Sequence, residues 1–322
     1  MRSYFHCKFA ILVWAFLHLS FMLSAQFSDG DGSAGDPFQI SNRAGLEALA
    51  NYLETAGENV HFRLTADIDL AGAEWTPIGT GQKDFRGKLH GGGHHIKNIS
   101  VNATNNLEWI GLFTNLGTGA VIDSVHITGG EINVTDPQVV AVGALAGVAS
   151  GSVTVFGCSN SARVNVNNGI PDVDAGGLIG FVTGNDFSLT SCVNTGTVTG
   201  SGGRTGGLVG CFKQAKGTIS DSYSQALIRT DAANASAGGL VGYIEQSSVT
   251  LEKCYATGRV HVPSGSSAGG TGGLAGFVND NNGAVTITKS VAAQDTLTGP
   301  AGNTHRIVGR KNSSITLSDN YA

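Results

Sequence analysis

One short motif returns seven times at almost constant spacing, and this periodicity constrains the fold more than any single residue. Full copies read Gly176-Gly177-Leu178-Ile179-Gly180, Gly206-Gly207-Leu208-Val209-Gly210, Gly238-Gly239-Leu240-Val241-Gly242 and Gly272-Gly273-Leu274-Ala275-Gly276. Looser copies stand at Gly111-Leu112-Phe113, Gly143-Ala144-Leu145-Ala146-Gly147 and Arg306-Ile307-Val308-Gly309. Their central apolar residues at 112, 145, 178, 208, 240, 274 and 307 lie 33, 33, 30, 32, 34 and 33 residues apart. A fixed period of this size signals stacked units that touch only their neighbours. Such an array grows by adding units, so a length of 322 residues does not count domains.

The repeat from Ala237 to Ser267 shows the unit. An apolar run (239–244) is followed by two alternating runs, 249–255 and 258–262, with polar or glycine-rich turns between them. Alternation with period two predicts short strands, and no helical period is present within the repeats. Three strands per unit, always in one order, predict an all-β, right-handed parallel β-helix of about 8–9 coils. Each strand then pairs with its counterpart one coil away. Chain-wide, 48 glycines against 6 prolines suit many tight turns. The paired glycines of the motif predict a bend at which a side chain would obstruct the turn or the next coil.

Residues 26–100 depart from the repeat and read as an N-terminal cap with the first irregular coils; residues 101–322 carry the repeats. Ser41 or Asn42 is placed to cap a helix whose Leu46, Leu49, Ala50 and Leu53 share a face, ending near Gly57. Such a helix would cover an open coil end. The last copy stops at Asp319-Asn320-Tyr321-Ala322, which matches Lys253-Cys254-Tyr255-Ala256 without the third strand. That open coil is an expected place for a partner or self-association.

Residues 1–25 read as a secretory signal: Arg2 and Lys8, a largely apolar run from Phe9 to Leu23, and a small-residue site at Ala25. The run is too short for a spanning helix. Cleavage takes the formal net charge from −5 to −7, a poor balance for binding nucleic acid. Cys7 leaves with the signal, and Cys158, Cys192, Cys211 and Cys254 remain. Cys158, Cys192 and Cys254 occupy one repeat position, matched elsewhere by Ser124, Ser222, Ser290 and Asn320, which favours small buried thiols. Cys158 and Cys192 fall on neighbouring strands, so distance alone leaves a bridge open.

Gly-Gly-Leu-Val-Gly, followed by a strand ending Cys254-Tyr255-Ala256-Thr257-Gly258-Arg259-Val260, resembles the GLUG repeat of exported bacterial proteins. Asp36-Pro37-Phe38-Gln39-Ile40, the stretch from Leu64 to Leu70, Trp75-Thr76-Pro77-Ile78-Gly79 and the stretch from Phe85 to Ile96 resemble the cap preceding such repeats. Together they cover nearly all of residues 35–322. The resemblance implies a right-handed β-helix at a cell surface, as in large adhesins and the noncatalytic region of immunoglobulin A-specific metallopeptidases. Peptidase activity is not implied, because no His-Glu-x-x-His sequence is present.

Candidate chemistry is sparse. Asp67, Asp69, Glu74 and Asp84 are the densest acidic group, as a glycoside hydrolase would need, but outward strand positions account for Asp67 and Asp69. Asp172, Asp174 and Asp186 read as turn residues. His90, His94 and His95 around Gly91-Gly92-Gly93 suit a metal site or surface turns. Trp75, Trp109 and Tyr243 suit sugar stacking or packing. No catalytic, cofactor-binding or metal-binding residue is assigned. The expectation is a secreted or cell-surface, nonenzymatic β-helix, adhesin-like or scaffolding, with a glycan or matrix protein as ligand. The alternative is a carbohydrate-binding or carbohydrate-active β-helix; a third reading is a fragment of a larger surface protein.

Overall fold

The computed structural model describes residues 27–80, 83–103, 107–232, 235–263, 269–279 and 283–322. The expected signal peptide lies outside the described residues. The described residues wind into a parallel β-helix with three sheets of 15, 13 and 7 strands, the first, second and third sheets below. About seven turns carry all three faces, since the third sheet holds one strand per turn. The first sheet begins earlier, at Phe38–Ile40 and His61–Leu64, so the expected count of 8–9 includes irregular opening windings.

One turn shows why the expected three strands become five shorter segments. Ser236–Gly238 lies in the third sheet, and Val241–Glu245 and Ser248–Glu252 lie in the first. Tyr255–Ala256 and Arg259–His261 then lie in the second. The apolar run is thus broken at its own Gly239-Leu240 corner. The second run is broken at Lys253, whose φ of 53° is left-handed. The same corner recurs at Ser124, Gly157, Ser191, Asp221, Lys289 and Asp319, with φ between 48° and 62°.

This corner corrects the alignment of the cysteine column. Asp123 pairs with Phe156 and His126 with Ser159, so Cys158 matches Val125, while Ser124 matches the left-handed Gly157. The inward column is therefore Val125, Cys158, Cys192, Ser222, Cys254, Ser290 and Asn320. It is stitched along the axis, with the Cys192 amide donating to Ser222 Oγ at 2.9 Å and the Cys254 amide to Ser290 Oγ at 3.1 Å. The four cysteines among the described residues are free and buried, so Cys158 and Cys192 are not bridged.

The repeated motif is a corner that turns into the core. Leu145, Leu178, Leu208, Leu240 and Leu274 are buried, and each amide donates to the corner carbonyl one coil on, from Leu145 to Leu178 through to Leu274 and Ile307. The second glycine lies against inward residues of the second sheet: Asn194 donates to the Gly207 carbonyl at 2.7 Å, and Gln294 to that of Gly273. The first and last glycines bring the third and first sheets together. A Cβ on Gly206 or Gly238 would stand 2.7 Å from the amide nitrogen of Gly242 or Gly276, in the following coil. None of these glycines has positive φ, so room rather than backbone freedom requires them.

The N-terminal end is closed as expected, by a shorter device. Asn42 accepts from the Gly45 amide and caps a helix of only five residues, Arg43–Glu47, which continues as the 3-10 turn Ala48–Asn51. Leu46, Ala48 and Leu49 are buried, whereas Ala50 is exposed, because the tightened turn moves it off the apolar face. Phe27, Phe38, Tyr52 and Phe62 pack beside it with ring centroids 4.7–5.9 Å apart.

Two outcomes follow. Gly207→Val or Gly239→Val places a side chain in a neighbouring carbonyl and should cost more than about 3 kcal/mol or abolish soluble expression. Gln225→Ala, at an exposed turn, should leave the melting temperature unchanged. Ser247 does not serve as such a control: it is buried and its hydroxyl accepts from the Ala215 amide. At the left-handed corner, Lys253→Val should cost about 1–2 kcal/mol in denaturant unfolding while Lys253→Gly costs nothing. Equal costs for the two would remove the backbone argument.

Candidate functional site

The acidic group around residues 67–84 is engaged in structural bonds. Asp67 pairs with Lys97 at 2.7 Å and accepts from the His95 amide. Asp69 accepts from Asn98 and the Ala71 amide. Glu74 holds both the amide and the side chain of Asn102, and Asp84 pairs with Arg86 at 3.0 Å. These contacts hold coils together. A hydrolase would instead direct two carboxylates across one cleft.

The three histidines divide between two faces. His90 belongs to the first sheet, where Nδ1 meets Asp123 at 2.5 Å and Nε2 meets His61 at 3.0 Å. His94 approaches Asp67 at 3.4 Å and His95 bonds Thr128 at 2.7 Å, both beside the second sheet. Among the described residues, no three His, Cys, Asp or Glu side chains converge as a metal set. Loss of solvent and, after it, the charges of His90 and Lys88 hold His61 below the ordinary histidine range.

The aromatic candidates are packed. Trp75 is 1% exposed, donates to the Leu112 carbonyl and is covered by Arg43, so it offers no stacking face. Trp109 is half-buried on the third sheet. Tyr243 meets Phe277 edge-on at 5.1 Å and lies under Arg204. Tyr223 and Tyr255, which sequence reasoning passed over, stack in parallel at 4.4 Å. Their 32-residue separation, one repeat period, was the available signal.

Asp174 departs most from its expected role. It lies in the strand Asp174–Gly176, 4% exposed, and takes a 3.0 Å ion pair from Arg204 of the next coil. Asp172 remains exposed in a turn, whereas Asp186, also exposed, lies within the strand Ile179–Thr190 where the register shifts and its own φ is 64°. The close approach of the third and first sheets encloses Asp174. Burial outweighs the guanidinium and pushes its carboxyl up to about 7. Burial likewise raises the thiol of nearby Cys211, which makes that sulfur a poor nucleophile.

One signal for a surface site was missed: Glu131 and Arg163 occur at paired register positions in the second sheet. They border an open groove of about 630 Å³ together with Asn98, Ser100 and Ser161.

The raised carboxyl of Asp174 gives a pH dependence. Its folded value of about 7 exceeds the ordinary 3.8, so between these limits the native state holds more protons than the unfolded chain. Stability from this group is therefore full below about pH 4 and falls as pH rises toward 7. His61 and His126, both lowered by burial first, act with the opposite sign. Asp174→Asn isolates the effect: the wild-type melting temperature minus that of the variant should drop by several degrees between pH 5 and pH 7.5. A flat difference would contradict it.

No protein-family profile matches the chain. Over 130 residues it is 35% identical to a protein of Evansella cellulosilytica described as a Gly-rich membrane protein, covering 38% of this chain and 14% of that one. Over 180 residues it is 31% identical to halomucin of Haloquadratum walsbyi, covering 52% of this chain and 2% of that one. The chain thus spans a small part of the curated relatives it matches. It also superposes on a crystal structure described as an immunoglobulin A1 protease from Bacteroides ovatus. That match has a TM-score of 0.60 and 25% identity, and covers 92% of this chain and 78% of the other. The shared feature is the β-helix.

Proposed function

We propose that the chain is an exported, nonenzymatic β-helix of the GLUG-repeat kind that acts at the cell surface as an adhesin-like or scaffolding module. The observation that carries this reading is the match over 92% of the chain to a solenoid described as an immunoglobulin A1 protease. The membrane description of the Evansella relative supports a surface or secreted location. The structural bonds made by Asp67, Asp69, Glu74 and Asp84 support a nonenzymatic role. A rod of stacked coils suits display, because packing of the repeat fixes the inward residues and leaves the outward ones unconstrained by the core. The ligand class that fits this reading is a glycan or a matrix protein.

The test is to express the full chain in a bacterial host, label intact cells with an impermeant reagent and sequence the mature N-terminus. Export with processing before Gln26, and labelling at the surface or recovery from the medium, is the expected result. Retention inside the cell with residues 1–25 intact would sink the surface reading.

A further inference from the structure

We propose that the groove bordered by Glu131 and Arg163 binds a neutral saccharide through two adjacent hydroxyls. The groove lies where the coil changes length. Between the paired positions His126/Ser159 and Ile132/Val164 the earlier coil uses one residue more than the later one. The coil before it has the same longer form, with His95 opposite His126 and Val101 opposite Ile132. The extra residue is taken up by left-handed backbone, Asn98 at φ 56° and Gly129 and Gly130 at 67° and 86°. An inserted residue of this kind bends the strand and redirects the side chains beside it. Gly72 and Gly129 put no side chain over the floor, which leaves the hollow open.

Asn98 and Ser161 are engaged with Asp69 and the Gly129 amide, but three other polar side chains border the hollow without a partner among the described residues. Ser100, Glu131 and Arg163 stand in register on three successive coils, about 4.8 Å apart. Glu131 and Arg163 are both exposed, yet they form no ion pair with each other or with another described residue. Most other charges nearby are committed, Lys97 to Asp67 and Glu74 to Asn102. A carboxylate accepts two hydroxyl protons and a guanidinium donates to hydroxyl oxygens in a planar fork, so side by side they match a vicinal diol. One carboxylate beside one guanidinium gives no net charge, which disfavours anionic sugars. The floor residue Ile99 is fully buried, so the groove presents no large apolar side chain for a peptide to cover. Glu131 is the one carboxylate among the lining residues, which fits binding and not hydrolysis.

This inference rests on the surface reading only for where the saccharide comes from; the chemistry of the groove stands apart from it. Saturation-transfer NMR on the mature chain, with maltotriose, cellotriose, mannotriose and galactotriose as neutral probes and trigalacturonic acid as the anionic one, provides the test. At least one neutral probe should bind in the millimolar range, as expected without an aromatic platform. Glu131→Gln, Arg163→Ala and Ser100→Ala, each checked for an unchanged melting temperature, should weaken it at least tenfold, tenfold and twofold. Gln225→Ala should not. Absence of neutral binding, binding of the anionic probe alone, or binding that survives both Glu131→Gln and Arg163→Ala would overturn the proposal. A chain that is exported but binds none of these probes sinks the groove alone. One that binds but stays inside the cell sinks the surface reading alone.

Discussion

The fold depends on how closely two sheets approach at the repeated corner. In an ordinary solenoid the space between faces is filled by side chains. Here the third and first sheets meet backbone to backbone, and the atoms that would intervene are missing because the residues are glycine. This contact places the corner leucine in the core and sets the second glycine against Asn194, Ser224 or Gln294 of the opposite face. The two flanking glycines, the buried leucine and the polar catch beneath are one constraint repeated along the axis.

That constraint also explains the burial of Asp174. When two walls close on a glycine seam, whatever projects from their rims is crowded together. Asp174, Arg204, Cys211 and Tyr243 meet there, and the carboxylate is desolvated although it lies on the outward side of its strand. Removing the pair by changing one partner alone would leave the other charge in an apolar setting, the costlier of the two states. The same charge pair on an open face would be worth little.

Periodicity made the solenoid, its parallel pairing and the corner leucines legible, because each depends on positions that recur. The capping role of Asn42 was legible from local chemistry. Less so was the position that matches Cys158: the small side chain of Ser124 suggested the match, whereas the residue as far from Leu112 as Cys158 is from Leu145 is the bulkier Val125. The burial of Trp75 and Asp174 was hidden for a different reason. Both depend on a distant neighbour, Arg43 of the capping helix or Arg204 of the next coil, that folds over them. His90, His94 and His95 looked like one cluster because they are close in sequence, but the corner at Gly91–Gly93 sends them to two faces.

A repeat that satisfies its own interior leaves function to the places where it breaks register. Along most of the second sheet successive coils agree in length, and outward side chains form ladders such as Tyr223 on Tyr255. Ladder partners satisfy one another and present a uniform face. At the step between residues 126–134 and 159–166 the register slips by one residue, and Glu131 and Arg163 stand next to each other without pairing. The extra residue of the earlier coil opens the hollow beside this register pair. A change of coil length is therefore a simple route by which a monotonous scaffold acquires a localised recognition site.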